Sequence, residues 1–243
     1  MDRATYAIEA EVEATHWWFT ERRWLFGRLI DGFSLPRDAR ILDIGTSTGT
    51  NLRMLRERGF TRAEGLDASE EAVRWCAEKG YGKVTQGDVC ALPFADETFD
   101  CVLATDIIEH VDDDAAALRD IRRVLKPGGR VLITVPAFMA LWGLQDEVGQ
   151  HKRRYRAREL RARAEAAGLR TLARFYFNYL LFLPILCVRS VVRLFNIRRL
   201  QNENQLNSPL LNRILQVIFR IDVWSARVLH PPFGVSFLLV AGK

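Results

Sequence analysis

Residues 41–51 read ILDIGTSTGTN: a short β-rich run carrying Asp43, then Gly45 and Gly49 in a turn of small residues, then helical spacing from Leu52. A strand that passes through a glycine turn into a helix is the opening half of a parallel βαβ unit. Glycines in such a turn remove the Cβ that would hold a ligand away from the backbone. The same pattern recurs from Arg40 to Val135. Strands are expected at Arg40–Ile44, Arg62–Leu66, Val84–Gly87, Phe99–Ala104 and Gly129–Val135. Helical periodicity runs over Leu52–Arg58, Glu70–Lys79 and Ala115–Val124, with Ser69 and Asp112 to Asp114 as N-cap candidates. An α/β fold with a doubly wound sheet follows.

Acids mark the strand ends. Asp67 closes the second expected strand 24 positions after Asp43, where a carboxylate can accept both hydroxyls of a ribose. Asp88 closes the third, where a carboxylate can accept from an adenine amino group. Each alone would serve as a helix cap. Together they place three carboxylates at the ends of consecutive parallel strands, around one crevice.

Outside this repeat, Thr5 to Asp31 reads as helix with His16, Trp17, Trp18, Phe19 and Trp24 in its middle, so residues 1–35 are expected to pack over the sheet edge or the site as a lid. Pro136–Tyr155 reads as loop, ending in the basic run HKRRYRAR. Glu159–Ala167 reads as a helix closed by Gly168, and Leu169–Tyr176 and Val235–Val240 as two further strands. Between those strands, residues 178–230 form an insertion that opens NYLLFLPILCVRSVVRLF, passes through QNENQLNSP and continues LLNRILQVIFRIDVWSARVL. Its apolar run Tyr179–Val188 contains Pro184 and is only 10 residues long, half of what a bilayer requires. Two amphipathic helices flanked by Arg189, Arg193, Arg198, Arg199, Arg213 and Arg220 fit an interfacial hairpin, a dimer surface or a cover for the sheet.

With 243 residues, 49% of them hydrophobic and 27% charged, the chain can bury one large core, and its composition excludes collagen-like and fully disordered classes. The net charge of +5 divides unevenly: residues 1–148 sum to −8 and residues 149–243 to +13. The second part can therefore face something anionic. Cys76, Cys90, Cys101 and Cys187 have neither zinc nor disulfide spacing, and the acidic N-terminus is unlike a signal peptide. A cytoplasmic protein without a metal is expected. Seven basic residues lie between Lys152 and Arg163, but no recognition motif or stacking platform accompanies them, so nucleic acid is not an expected partner.

DIGTSTG, GLDAS, GDV, LPFADETFDCVLATDIIEHV and LKPGG, in this order and spacing, resemble the class I S-adenosylmethionine-dependent methyltransferases, in particular the subgroup similar to quinone-biosynthesis methyltransferases. The resemblance covers about Arg40–Val135. It implies a Rossmann-like, mostly parallel seven-stranded sheet with helices on both faces and a reversed final strand, to which HPPFGVSFLLVAGK corresponds. Ser47 stands where that family usually has the middle glycine of its turn. The resemblance implies S-adenosyl-L-methionine as cofactor, with Gly45, Thr46, Ser47 and Gly49 beside its methionine part and Asp67 with Ala68 at the ribose. It likewise implies Asp88 with Val89 at the adenine, the backbone of Ala104 or Thr105 at the amino group, and Asp43 orienting the turn or reaching that amino group through water. LKPGG is expected to form the turn into the fifth strand. HWWFTERR and HKRRY resemble a bacterial group in which the first segment is a lid helix, bringing Trp17, Trp18 or Arg23 near the site; packing of the tryptophans in the core is the alternative.

A sulfonium methyl is already activated, so such an enzyme chiefly holds an acceptor in line in a dry site. His110, at the fourth strand's exit, and His151, at the head of the basic run, are the candidates for taking a proton from a hydroxyl or phenol. The expected acceptor is small or lipid-linked, and an anionic membrane surface and a homodimer are both open as partners. A non-catalytic cofactor-binding module of a membrane-associated complex is one rival. An NAD-dependent oxidoreductase is another, although the first turn lacks G-x-G-x-x-G.

Overall fold

The computed structural model describes residues 3–195 and 208–243. Strands β1 (Arg40–Ile44), β2 (Arg62–Asp67), β3 (Val84–Gln86), β4 (Phe99–Thr105), β5 (Leu125–Pro136), β6 (Arg170–Phe177) and β7 (Ser236–Gly242) form one sheet in the order β3-β2-β1-β4-β5-β7-β6. The first five are parallel, and β7 runs antiparallel between β5 and β6. The chain reverses its direction of winding between β1 and β4, so the carboxyl ends of these two strands open on the crevice where doubly wound sheets bind ligands.

Helices cover both faces. Helices α5 (Asp114–Val124) and α7 (Ala157–Ala166) press Leu118, Ile121, Leu160 and Ala164 against Val102, Val131 and Ile133. On the opposite face, α2 (Trp17–Asp31), α3 (Thr50–Glu57) and α9 (Pro209–Leu229) bury Leu25, Ile30, Leu55, Phe219 and Val223 against Ile41, Leu103 and Leu238. Ser69 caps α4 (Glu70–Glu78), and of the three candidate aspartates Asp113 caps α5, accepting from Ala116 N at 2.8 Å.

Four local expectations change. The N-terminal helix is two, α1 (Arg3–Thr15) and α2, because His16 turns extended (ψ 133°) and its Nδ1 accepts from Trp18 N. Asn212 of α9 holds this break, accepting from Trp17 N at 2.7 Å and donating to Thr15 O at 2.9 Å. LKPGG lies within β5 as a bulge: Phe99 pairs with Leu125 but Cys101 already pairs with Arg130, and Gly128 takes φ +78°. Residues 136–155 contain a short helix, α6 (Leu144–Val148), because Asp146 closes its first turn by accepting from Gly143 N at 2.8 Å.

The fourth change concerns residues 178–230. They hold α8 (Phe182–Leu194) and α9, while Arg198, Arg199 and the stretch 201–207 lie outside the described residues. Helix α8 turns Arg189 inward and leaves Arg193 exposed. Arg189 is buried, donates to Leu141 O and lies 3.6 Å from Asp146, and Arg193 donates to Ala140 O at 2.9 Å. Leu183, Val188, Val191 and Leu194 face outward instead.

Candidate functional site

The glycine turn is built by backbone pairing between neighbouring strands. Gly45 N and Thr46 N both donate to Leu66 O, at 2.8 and 3.2 Å, and Thr46 Oγ1 donates to Asp43 O at 2.9 Å. Gly45 takes φ +73° and Gly49 φ +80°, a region costly for side chains with a Cβ. At Gly45 an added Cβ would fall 2.3 Å from Ile107 Cδ1, so this glycine makes room for a neighbouring side chain as well as for the turn. Ser47 adopts φ +45°, a left-handed backbone that favours glycine.

Asp67 holds the turn from the second strand. Its Oδ2 accepts from Ser47 N at 2.8 Å and its Oδ1 from Ser69 N at 2.9 Å, which leaves each oxygen further lone-pair capacity toward the crevice. Asp43 is fully buried: Asn51 Nδ2 donates to its Oδ1 at 3.0 Å and lies 3.3 Å from Thr105 Oγ1, while Oδ2 has no hydrogen-bond partner. Burial pushes the Asp43 carboxyl up to about 7, and the charges of Asp67 and Glu13 add to the rise against the Asn51 hydrogen bond. Asp88 and Ala68 are exposed, Val89 and Ala104 buried, and Thr105 partly buried. Asp88 Oδ1 accepts from Cys90 N at 2.8 Å just beyond β3. The three aspartates thus stand at successive strand ends, as their spacing in the sequence implies.

Helix α1 closes over this turn. Tyr6 is buried against Trp75 and donates to Ser69 Oγ at 3.1 Å, and Glu13 accepts from Thr48 Oγ1. Arg23 donates to Glu13 O, and Arg22 pairs with Asp106, which follows β4 at φ +54° and accepts from Thr134 Oγ1 at 3.0 Å. Trp17 and Trp18 belong to the core instead; Trp18 stacks on Phe177 at 6.1 Å. The arginines of HWWFTERR reach the site and the tryptophans brace them, with Arg22 lying 5.2 Å from the ring of Trp18.

His110 and His151 meet although far apart in sequence. Their rings lie edge to face at 4.7 Å, beside the 3-10 turn Ile108–His110 that leaves β4. His151 Nδ1 is 2.9 Å from Asp146 Oδ1. Burial pushes the Asp146 carboxyl up, but hydrogen bonds from His151 and Arg154 outweigh it and hold the group down at about 2. Burial, and then the charge of His151, lowers the pKa of His110. Glu109 next to it is fully buried, has no hydrogen-bond partner at either carboxylate oxygen, and is raised well above the usual carboxylate range by burial and by Asp106.

Sequence reading missed Glu13, Arg22, Asn51, Asp106 and Glu109. The last two stand inside ATDIIEH, directly after a strand whose end was already assigned to the crevice. The basic run is largely neutralised within the chain: Lys152 pairs with Asp112, Arg153 and Arg163 with Asp114, and Arg154 with Asp146.

A doubly wound sheet with an acidic, glycine-lined crevice at the ends of β1, β2 and β4 defines a nucleotide-cofactor-binding α/β domain. Residues 17–174 match the family described as Methyltransferase domain, and the chain belongs to that family. Among curated proteins it is 36% identical over 100 residues to the ubiquinone/menaquinone biosynthesis C-methyltransferase UbiE of Desulfotalea psychrophila, a match covering 39% of this chain and 40% of the relative. The chain spans less than half the length of this and similar curated relatives. Among solved structures, a SAM-dependent methyltransferase of Archaeoglobus fulgidus shares the fold at 20% identity with a TM-score of 0.56, covering 91% of this chain and 94% of the other. So does a methyltransferase of Haloferax volcanii solved with the Trm112 methyltransferase activator, at 20% identity and a TM-score of 0.64, covering 98% and 94%.

Proposed function

We propose that this protein is an S-adenosylmethionine-dependent methyltransferase acting on a small or lipid-linked acceptor at an anionic membrane surface. The observation that carries the first part is the acidic cradle of Asp43, Asp67 and Glu13 around the glycine turn, with a buried, unpartnered oxygen on Asp43. Such a cradle suits a cofactor with an ammonium and a sulfonium group, because each buried carboxylate gains a cation that burial alone denies it. When bound, the cofactor supplies a methyl group already activated as a leaving electrophile. Gly45, Thr46, Ser47 and Gly49 would hold its methionine part, Asp67 and Ala68 its ribose, Asp88 and Val89 its adenine, and the Ala104–Thr105 backbone its amino group. Helix α1 would exclude water through Tyr6 and Glu13. His151, oriented by Asp146, and His110 line the acceptor side, where an imidazole can take the proton of a hydroxyl.

The membrane part rests on the outer surface of the insertion. Along α9, Leu210, Ile214, Val217, Ile221, Trp224 and Val228 recur at intervals of three and four residues and are each 47–72% exposed. Together with the outward residues of α8 they make an apolar surface, with Arg213 and Arg227 exposed along α9. Apolar contact and basic charge together favour an anionic bilayer over a neutral one. No described helix is long and apolar enough to cross a membrane, so the attachment is to its surface.

Co-sedimentation with phosphatidylglycerol vesicles tests the docking. Binding should rise with anionic lipid and fall with salt. A salt-insensitive dimer that ignores vesicles would refute it. Incubation of a lipid and metabolite extract with methyl-labelled cofactor tests the activity, and failure both to bind S-adenosylhomocysteine and to label any product would refute the first part.

A further inference from the structure

Glu109, His110 and His151 present their ligand atoms within 4.8 Å of one another, at the mouth of the crevice beyond β4. Three features distinguish this cluster from a chance meeting of polar side chains. Glu109 is wholly buried and neither carboxylate oxygen has a hydrogen-bond partner, an arrangement that costs stability unless something else satisfies it. His151 is already oriented: Asp146 accepts at Nδ1, which leaves Nε2 as the nitrogen with the free lone pair. Asp146 is in turn fixed by Arg154 at 2.8 and 2.9 Å and by Gly143 N at 2.8 Å, so the imidazole is braced from behind. Carboxylate–histidine pairs of this kind are what orient histidines that ligate metals.

We propose that Glu109, His110 and His151 form a binding site for a divalent first-row transition cation. Two imidazoles and one carboxylate favour such an ion over magnesium or calcium, which prefer all-oxygen shells. Three protein ligands leave coordination positions open, the arrangement of a reactive rather than a closed structural site. Resting on the methyltransferase reading, the open positions would take an oxygen of the acceptor and lower the pKa of its hydroxyl; with the ion bound the imidazoles hold it instead of acting as bases, and the proton leaves to water. Glycine at 149 is part of the construction, since a Cβ there would come within 3.0 Å of His151 Nε2.

The full-length protein, freed of metal by chelator dialysis, should bind one equivalent of Co2+ with visible absorption bands of an imidazole-ligated ion, displaceable by Zn2+. Glu109→Gln and His151→Gln should each weaken Co2+ binding by about tenfold or more, and Asp146→Asn by about 10-fold to 100-fold, as expected of an orienting partner. Circular dichroism identifies a variant that fails to fold, and His110→Gln then takes its place. No bands at stoichiometric Co2+, or equal affinity in every ligand variant, would overturn the site. Catechol, an oxygen-donor probe, should shift the bands of the bound ion, and unshifted bands would overturn the acceptor role. Calorimetry with S-adenosylhomocysteine separates the two readings: Co2+ binding without cofactor binding leaves the metal site standing alone, and the reverse removes only the metal site.

Discussion

The buried carboxyl of Asp43 ties ligand binding to proton release. Its pKa stands at about 7 in the folded chain against a reference of 3.8. A displacement of about three units corresponds to roughly 4 kcal/mol favouring the protonated form. The folded state therefore holds more protons than the unfolded one between about pH 4 and 7. Stability from this group is fully present below that window and declines as pH rises through it. A cation delivered against Asp43 reverses the balance, because it stabilises the carboxylate and drives the proton off. At pH 6 binding of S-adenosylhomocysteine, which carries the ammonium group, should release roughly nine-tenths of a proton, and at pH 8 about one-tenth. Affinity at pH 6 should be about tenfold weaker than at pH 8. Calorimetry in two buffers of different ionisation enthalpy reads the proton count directly. Asp43→Asn keeps an acceptor for Asn51 and removes the titration, so its proton release should fall to near zero and its stability curve should flatten between pH 4 and 7. Equal proton release by wild type and Asp43→Asn would refute the reasoning.

Other perturbations probe separate parts of the site. Asp67→Ala should weaken S-adenosylhomocysteine binding by about 1–3 kcal/mol, and it should also lower the melting temperature, because Ser47 N and Ser69 N lose their acceptor; unchanged affinity in calorimetry would remove the ribose assignment. Gly45→Val should abolish both binding and the folded turn, since φ +73° and the contact with Ile107 each oppose a branched side chain, and a wild-type melting curve would contradict this. His151→Ala should slow methyl transfer while cofactor affinity stays at the wild-type value, a split visible in single-turnover and binding assays. Trp224→Glu should reduce co-sedimentation with anionic vesicles by roughly tenfold without altering the melting temperature, because the side chain is 71% exposed.

Much of the fold was legible because each strand end carries its own punctuation. Asp43, Gly45 and Gly49 mark the first turn and Asp67 with Ser69 the second, and the observed strands β1, β2 and β4 agree with their expected limits to within a residue. Where a contact remote in sequence decides, local patterning gave no warning. The break at His16 is fixed by Asn212, and the bulge in β5 by pairing with β4. The acidic crevice was legible for the same reason as the fold, since Asp43, Asp67 and Asp88 sit at strand ends. The histidine cluster was only half legible. His110 and His151 were each visible as loop histidines, but their meeting depends on α6, whose Asp146 draws His151 back toward β4. Glu109 carried the signal of an acid beside a strand end, and only burial distinguishes it from the exposed Asp112 and Asp113 that follow it.

The insertion carries apolar residues on its outer side as well as its inner one, and the second stripe constrains what it is for. Ordinarily the apolar stripe turns inward, because burying each large side chain gains about 1.5–3 kcal/mol. In α8 the partly buried Phe182, Ile185, Leu186 and Val192 share the inward side with the buried Arg189, while Arg193 is exposed. Arg189 and Arg193 satisfy the carbonyls of Leu141, Ala140 and Trp142, which leave the loop before α6 without strand partners, and Arg189 also approaches Asp146. Arg189 thereby helps to hold Asp146, which lies 2.9 Å from His151. Helix α8 thus connects the outer apolar surface to His151 through Arg189 and Asp146. Helix α9 repeats the outward stripe while anchoring to α2 through Arg220 and Glu21 at 2.7 Å, so the surface is held rigidly against both the lid and the sheet. A helix pair meant only to cover the sheet has no need of a second, outward apolar stripe. A pair that receives a hydrophobic acceptor would present that stripe where Arg189 and Asp146 lead to His151, the histidine proposed to act on it.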